Sequence, residues 1–266
     1  MADTPGTSPL GRRTVLIATG TAAGLAMAGC VSDSDDLAAP TPSTATPQGT
    51  RTPQGTNTAA PTACTLTREA TEGPYHLDGT LVRPDLTENK PGIPLDLTLT
   101  VVDADTCTPL PKAMVELWHA DALGEYSGFV GANGHEEPDN GRFLRGALRT
   151  DSAGVAEFRT IYPGWYGDRC VHIHVKVYTD VEPTDDGSFE GGQELHTGQL
   201  FFDEKTTAEV AALTEYRANT VRRTPLAEDS FYDNGGAASG LLTLTALGAN
   251  PGEGYAGSLT LGVEQD

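Results

Sequence analysis

Short β-rich runs separated by turn residues are the feature that most limits how this chain folds. Each run holds alternating apolar or β-branched residues, and clusters of Gly, Pro, Asn and Asp stand between the runs. The runs cover residues 95–102, 113–118, 154–161, 171–178, 198–202, 241–247 and 258–263. This pattern is typical of two sheets packed face to face. We therefore predict an all-β fold, a β-sandwich, with long Gly-rich loops at 131–141 and 235–240.

One short surface helix interrupts the strand pattern. It is predicted to start near residues 206–207, with Glu209 in its first turn and with Val210, Leu213 and Val221 on one face. This spacing fits a helical period of about 3.6 residues. We expect the apolar face of the helix to pack on the sandwich.

The N-terminal residues carry an export pattern. Arg12 and Arg13 precede an apolar stretch at 15–28, and small residues lead to Cys30. The stretch is shorter than the roughly 20 residues that a bilayer helix needs, so a cleaved signal fits better than a permanent span. We predict that residues 1–29 are a signal of the twin-arginine and lipoprotein type. Cys30 is then the lipidated first residue of a protein exported to the outer face of the cell membrane, and simple secretion is the alternative.

The next residues, 30–62, consist mainly of Thr, Pro, Ala, Ser, Gly and Asp, and the run Thr-Pro-Gln-Gly-Thr occurs twice there. Such a composition cannot bury a core, so we predict a disordered tether. Residues 63–266 suffice for one domain. The formal net charge of −20 argues against a nucleic-acid partner, because phosphate binding needs clustered Lys and Arg. Contact with the membrane is therefore expected through the lipid anchor alone.

Four cysteines occur, and export places them in an oxidising compartment. Besides Cys30, Cys64 lies where the domain begins and Cys107 lies in a turn between strands. We predict a disulfide between Cys64 and Cys107, which pins the start of the domain, and a buried thiol at Cys170. A bridge from Cys170 to either partner is the alternative that the sequence leaves open.

The densest chemical signal lies at residues 163–177, where His172 and His174 fall within one strand. Side chains two positions apart in a strand share a face at about 6.5 to 7 Å, so the two imidazoles can bind one metal ion. Such a pair also arises by chance. Tyr166, on the turn into the same strand, and Tyr126, on a loop after another strand, strengthen the metal hypothesis. The remaining histidines lack this pairing and are predicted not to be ligands: His76, His119, His135 and His196.

These segments resemble the intradiol ring-cleavage dioxygenases, the family of catechol and protocatechuate dioxygenases. The match runs from about Glu72 to Phe202 and includes the segments 72–75, 118–126 and 150–166. Arg169 stands three residues before the first histidine, as in the family. Gln199 in the run 198–202 matches a glutamine near the substrate.

The resemblance implies a non-haem Fe(III) centre. Its ligands would be Tyr126 and His172 in equatorial positions and Tyr166 and His174 in axial positions. Two phenolate oxygens favour ferric iron over ferrous iron and over zinc. The resemblance also implies that a catechol-type ring and O₂ are the substrates. The ring is then cleaved between its two hydroxylated carbons, which gives a muconate-type diacid.

Further roles come from the same resemblance. Arg169 would stabilise negative charge that develops on the ring, and Gln199 would orient the substrate. The substrate pocket is predicted to be lined by Gly73, Pro74, Tyr75 and Trp165. The two aromatic residues would stack on the ring, and packing in the core or at the rim is the alternative for each. Without the family motif, Arg169 and Gln199 would be interpreted as an ion-pair arginine and a strand glutamine.

Other classes of protein share parts of the pattern. A transthyretin-like sandwich that only binds a ligand has similar turns, but it needs neither Tyr126 nor the histidine pair. A cupin needs a Glu shortly after that pair, and none occurs at 176–179. An Fe(II) oxygenase with a facial triad needs a carboxylate ligand, for which Asp168 is the nearby candidate. We rank the binding module first among these alternatives.

The sequence also departs from the family. The catechol branch carries an N-terminal helical dimerisation segment, and here the tether occupies that place, so we expect no dimer of that kind. Residues 224–233 match only loosely. The oligomeric state and the preferred catechol are therefore left open.

The export hypothesis predicts a mature chain that starts at a lipidated Cys30. Intact-mass analysis of the membrane fraction should find this form, and Cys30→Ser should abolish the lipid mass. The matched control Cys170→Ser should leave the lipid in place. Uncleaved protein in the cytoplasm would contradict the hypothesis.

Overall fold

The computed structural model describes residues 64–234 and 237–265. Cys30, the arginine pair and the tether lie outside these residues, so the export hypothesis stays a prediction. Within the described ranges, no helix is long and apolar enough to cross a membrane.

Strands dominate the described part of the chain. They are β1 (Pro94–Asp103), β2 (Met114–Trp118), β3 (Tyr126–Val130), β4 (Gly134–His135), β5 (Arg145–Arg149), β6 (Val155–Ile161), β7 (His172–Thr179), β8 (Glu182–Pro183), β9 (Phe189–Glu190), β10 (Gln193–Phe201), β11 (Thr243–Ala246) and β12 (Tyr255–Val263). Two short helices, α1 (Glu204–Ala211) and α2 (Thr214–Arg217), follow β10.

Two four-stranded sheets form the sandwich, with strand orders β11-β12-β1-β6 and β10-β7-β2-β5. In the first sheet, β1 pairs parallel with β12 and antiparallel with β6. In the second sheet, β7 lies antiparallel between β10 and β2. Two-stranded ribbons, β3 with β4 and β8 with β9, extend from the sandwich. The all-β sandwich predicted from the sequence is confirmed.

Alternating apolar residues fill the space between the sheets. The buried residues of the three central strands are Leu95, Leu97, Leu99 and Val101 of β1, Val115 and Leu117 of β2, and Ile173, Val175 and Val177 of β7. Burying one side chain of this size contributes roughly 1.5 to 3 kcal/mol. The removal of these side chains from water therefore holds the two sheets together.

The opposite face of the second sheet carries polar and aromatic side chains, because successive residues of a strand point to opposite faces. β7 presents His172 and His174 there, and β2 presents Glu116 and Trp118. In the strand register, His174 lies between Trp118 of β2 and Gln199 of β10. All of these side chains are buried although they face away from the main core. This face positions the candidate site.

The sequence pattern misses five of the twelve described strands, namely β5 and the four strands of the two ribbons. β5 completes the edge of the second sheet, and β3 starts at Tyr126, which was predicted to lie on a loop. Arg145 of β5 obscures the strand pattern because it is a charged residue at a buried position. Its guanidinium is accommodated by hydrogen bonds to the Ser127 hydroxyl (2.8 Å) and carbonyl (2.9 Å).

The predicted helix is present with different bounds. α1 starts earlier, at Glu204, because the Asp203 carboxylate caps its first turn. Val210 is buried as expected. Leu213 lies between α1 and α2 rather than within one helix, and Val221 is 44% exposed beyond both. The chain therefore breaks the single predicted helix into two shorter ones.

The cysteines of the domain are arranged as the pairing hypothesis expects. Cys64 and Cys107 form a disulfide, with Cα atoms 5.2 Å apart. Cys170 is a buried free thiol, and burial raises its pKa well above the usual range.

The segment 64–73, which we call the N-terminal strap, connects the disulfide to the polar face. The Thr67 N–H donates to the carbonyl of Gly262 in β12 (2.9 Å), and the Ala70 N–H donates to the carbonyl of Thr197 in β10 (3.0 Å). At the end of the strap, Gly73 has a φ of +74°, and a Cβ there would lie 3.3 Å from Cε1 of His174. Glycine therefore suits this position for both its conformation and its size.

We expect the disulfide to contribute measurably to the free energy of unfolding. It closes a loop with a sequence separation of 43 residues, for which loop entropy gives about 4 kcal/mol. The double variant Cys64→Ser/Cys107→Ser should lower the free energy of unfolding by about this amount in urea titrations. Cys170→Ala serves as a control that leaves the bridge intact. Peptide mapping that finds Cys64 and Cys107 as free thiols would contradict the prediction.

Candidate metal centre

The start of β7 brings two imidazoles and a phenol together. The Nε2 atoms of His172 and His174 lie 3.2 Å apart. Tyr166 lies on the turn before β7, and its hydroxyl is 3.1 Å from Nε2 of His172. The three side chains are buried. Two nitrogen atoms and one oxygen atom thus face one another away from water.

A backbone carbonyl fixes the proton of His172. Nδ1 of His172 lies 2.7 Å from the carbonyl oxygen of Cys170. Because a carbonyl oxygen only accepts, Nδ1 carries the proton and Nε2 presents its lone pair to the cluster. The ring of His174 is held differently, by stacking on Trp118 with centroids 4.8 Å apart and planes within 5°. Both imidazoles are therefore fixed in orientation.

Tyr126 completes the cluster from the first residue of β3. Its ring centroid lies 5.7 Å from that of Tyr166 and 6.2 Å from that of His174. The hydroxyl is fully buried and has no hydrogen-bond partner of ordinary geometry among the described residues. A buried hydroxyl without a partner costs roughly 1 to 3 kcal/mol. This cost makes the Tyr126 oxygen a candidate for binding a ligand within the cluster.

Gly124 allows the turn that leads to Tyr126. It has a φ of +88°, and a Cβ at this position would collide with the carbonyl oxygen of Trp165. The turns before Tyr126 and Tyr166 thus pack directly against each other. This close packing brings the two phenols, which are distant in sequence, into one cluster.

Burial favours the neutral form of all four side chains. It lowers the pKa of His172 and His174 well below the usual range, and the charge of Arg169 acts in the same direction. Burial also raises the pKa of Tyr126 and Tyr166. Neutral imidazoles offer lone pairs to a metal ion without first losing a proton. A cation among these atoms would lower the pKa of the two phenols, because it stabilises phenolate.

The donor set fits a hard, highly charged cation. It offers two phenol oxygens and two imidazole nitrogens, of which one nitrogen already presents its lone pair. Zinc usually takes Cys, His or carboxylate ligands, whereas phenolate oxygens suit ferric iron. Asp168, the carboxylate that a facial triad needs, is exposed on the turn. The residues present therefore fit Fe(III) better than Zn(II) or a facial-triad Fe(II) centre.

The predicted substrate-binding residues separate into two groups. Tyr75 stacks on Tyr126 with centroids 4.4 Å apart, and Gly73 lies against His174. Pro74 is exposed beside them. Trp165, in contrast, is buried in the main core, where its indole N–H donates to the carbonyl of Val221 (2.8 Å). For Trp165 the structure agrees with the core-packing alternative, because Trp165 belongs to the main core whereas Tyr166 belongs to the aromatic cluster with Tyr126.

Arg169 and Gln199 belong to one hydrogen-bond network. The guanidinium donates through Nη2 to Oε1 of Gln199 and through Nε to Oδ2 of Asp229 (2.9 Å). The Gln199 amide donates to the carbonyl of Thr71 in the N-terminal strap (2.9 Å). The ring of Phe231 lies 4.4 Å from Cζ of Arg169. The two predicted catalytic side chains are thus held in place together.

Asp229 was missed by the sequence analysis. It is fully buried and lies 60 residues from its partner Arg169 in the sequence. An isolated Asp in a loosely matching loop gives no local signal of this role. The contact arises from the tertiary fold alone.

A second buried network lies next to the cluster, around Glu116. Its carboxylate is 3.2 Å from Nε2 of His76 and accepts hydrogen bonds from the hydroxyls of Thr80 (2.5 Å) and Tyr178 (3.0 Å). The network borders an open cavity of about 640 Å³. The sequence did hold a signal here, because a charged residue inside an otherwise apolar strand needs buried partners.

The other histidines lie outside the cluster. His119 bonds to the carbonyl of Ala120 (2.8 Å) and the hydroxyl of Thr160 (2.7 Å), which explains its burial. His196 is a buried residue of β10 itself. His135 stands near the carboxylates of Asp121 and Glu125.

A second group of possible metal ligands consists of Asp121, Glu125 and His135, whose ligand atoms all lie within 4.8 Å of one another. The ammonium of Lys90, however, lies 2.6 Å from Oδ2 of Asp121. A cation from the chain itself thus already neutralises this carboxylate. The cluster at Tyr126, Tyr166, His172 and His174 remains the candidate centre.

Comparisons with known proteins identify relatives of this chain. Residues 71–181 match the model of a family described as Dioxygenase. Catechol 1,2-dioxygenase 1 of Acinetobacter lwoffii is 32% identical over 132 residues, which span 41% of each protein. Catechol 1,2-dioxygenase of Acinetobacter baylyi is 38% identical over 101 residues, which span 36% of this chain and 31% of that protein. The chain thus aligns with less than half the length of these curated relatives.

A solved structure gives a longer match. The intradiol ring-cleavage dioxygenase from Tetranychus urticae is 30% identical, with a TM-score of 0.65. The alignment covers 76% of this chain and 95% of that one. This chain belongs to the intradiol ring-cleavage dioxygenase family.

Proposed function

We propose that this chain is a non-haem Fe(III) dioxygenase that cleaves catechol-type rings between the two hydroxylated carbons. The observation that carries the proposal is the convergence of Tyr126, Tyr166, His172 and His174 in one buried cluster. The family and the named relatives support it. Both atoms of O₂ enter the product, a muconate-type diacid, so the overall reaction needs no external reductant.

The four side chains of the cluster would hold the iron. Once bound there, ferric iron supplies the Lewis acidity that keeps phenolic oxygens ionised at neutral pH and activates a bound catechol toward dioxygen. Ionising a phenol with an ordinary pKa near 10 at pH 7 corresponds to about 4 kcal/mol. The imidazoles need no such assistance, because burial already keeps them neutral.

The two phenols differ in their surroundings, and this suggests different roles. Tyr126 is fully buried beneath Tyr75, which shields its oxygen from water. Tyr166 is 8% exposed and lies on a turn. We assign Tyr126 as the permanent ligand. Tyr166 is then the phenol that takes up a proton when the diol of the substrate ionises.

Arg169 and Gln199 would act on the substrate ring. The amide of Gln199 has a fixed orientation, because its oxygen accepts from Arg169 and its nitrogen donates to Thr71. A guanidinium held in this way does not have to reorganise when negative charge develops nearby. Gly73, Pro74 and Tyr75 would border the substrate on the side of the N-terminal strap.

The location of the enzyme is part of the proposal. The export pattern and Cys30 favour a protein held at the outer face of the membrane by a lipid and the tether. A transthyretin-like binding module is the second candidate, since the sandwich alone would serve it. The placement of Tyr126 beside Tyr166 and His174 favours the enzyme, because a binding module needs neither Tyr126 nor the histidine pair.

Tyr126→Phe should abolish iron binding and the red colour that tyrosinate-to-iron charge transfer gives. The variant removes an oxygen that no neighbour can replace. Metal analysis and visible absorption of the iron-loaded protein measure the effect. Tyr178→Phe is the matched control, since this half-buried phenol bonds to Glu116 outside the cluster. A colourless wild type without iron would support the binding module instead.

Arg169→Ala should retain the iron and lower kcat by about 100-fold, because a preorganised charge contributes mainly in the transition state. Product analysis with catechol and O₂ checks the reaction at the same time. A muconate-type diacid is expected. A muconic semialdehyde would contradict intradiol cleavage, and an unchanged kcat would contradict the role of Arg169.

A further inference from the structure

The charge pair at the edge of the centre bears on which catechols the site accepts. Arg169 is only 11% exposed, and Oδ2 of the fully buried Asp229 lies 2.9 Å from its Nε. The Phe231 ring covers the guanidinium. A cation and an anion with opposite unit charges are therefore buried together beside the four proposed ligands.

Asp229 is fixed as an anion by backbone donors. Its Oδ2 accepts from the Cys170 N–H (2.8 Å), and its Oδ1 accepts from the N–H groups of Phe231 (2.9 Å) and Tyr232 (3.0 Å). Burial alone would raise the pKa of Asp229, but Arg169 and these donors hold it below the usual range. The carboxylate therefore remains ionised beside Arg169 at neutral pH.

The other cations near the centre are also engaged. Lys176, which follows His174 on the same face of β7, binds the carboxylates of Glu72 (2.5 Å) and Glu194 (2.9 Å). Arg145 is buried and donates to Ser127. In the part of the chain that the structure describes, each of these three cations already has partners within the protein.

We propose that the site prefers catechols without a carboxylate on the ring, and that Asp229 sets this preference by neutralising Arg169. The inference rests on the proposed function and specifies its substrate class. A ring carboxylate that enters the site loses hydration and needs a cation to compensate. The guanidinium nearest the proposed ligands is already paired with Asp229, so a ring carboxylate that approached it would also meet the charge of Asp229, and its burial would be unfavourable. A neutral ring substituent has no such requirement.

Three substrates separate charge from shape. They are catechol, 3,4-dihydroxybenzoate and 3,4-dihydroxybenzamide, of which the last two differ mainly in charge. For the iron-loaded full chain, kcat/KM for the amide should exceed that for the benzoate by at least about tenfold. Asp229→Asn should reduce this ratio by roughly tenfold, whatever its effect on absolute rates. Glu228→Gln, an equal charge change at an exposed neighbour that pairs with Arg222, should leave the ratio unchanged.

Arg169→Gln gives an independent test if Asp229→Asn does not fold. It leaves the charge of Asp229 uncompensated, so the ratio should rise above that of the wild type. Equal kcat/KM values for the benzoate and the amide in the wild type would overturn the inference. It would also be overturned if neither Asp229→Asn nor Arg169→Gln changed the ratio of the two values.

The affinities of the same three compounds can also be measured by titration without O₂. A protein that binds the catechols but does not cleave them contradicts the proposed reaction, and the affinity ratio still decides the preference. The two proposals therefore fail in distinguishable ways.

Discussion

The two-residue period of β7 is the constraint on which the rest of the structure depends. One face of this strand places Ile173, Val175 and Val177 in the core, and the other places His172 and His174 in the centre. A shift of the register by one residue would bury the imidazoles between the sheets and turn the aliphatic side chains outward. The stability of the sandwich and the geometry of the centre are therefore set by the same pairing with β2 and β10.

The neighbouring strands and loops complete what β7 begins. Trp118 of β2 fixes the plane of His174, and Gln199 of β10 fixes Arg169. The N-terminal strap covers the same face and ends at Gly73 against His174. Because these contacts come from segments far apart in sequence, the centre forms only when the sandwich is assembled. The buried Glu116 network extends this polar layer toward the open cavity.

The sequence predicted the parts of the fold and site that have a local period or motif. The sandwich, most core strands and the shared face of His172 and His174 follow from alternation, and Val210 follows from the helical period. The early start of α1 did not, because it depends on capping by Asp203. For Trp165 the sequence left stacking on a substrate and core packing both open, since a turn has no period from which direction can be read. Asp229 could not be found locally, because only the folded chain brings it to Arg169.

The buried thiol of Cys170, two residues before His172, bears on the disulfide of the same domain. Thiols are oxidised and enter disulfide exchange as thiolates, and burial raises the pKa of this one, which favours the protonated form. The residue is also only 2% exposed, so oxidants and other thiols have little access to it. Burial therefore disfavours both oxidation of Cys170 and its exchange with the Cys64–Cys107 bridge.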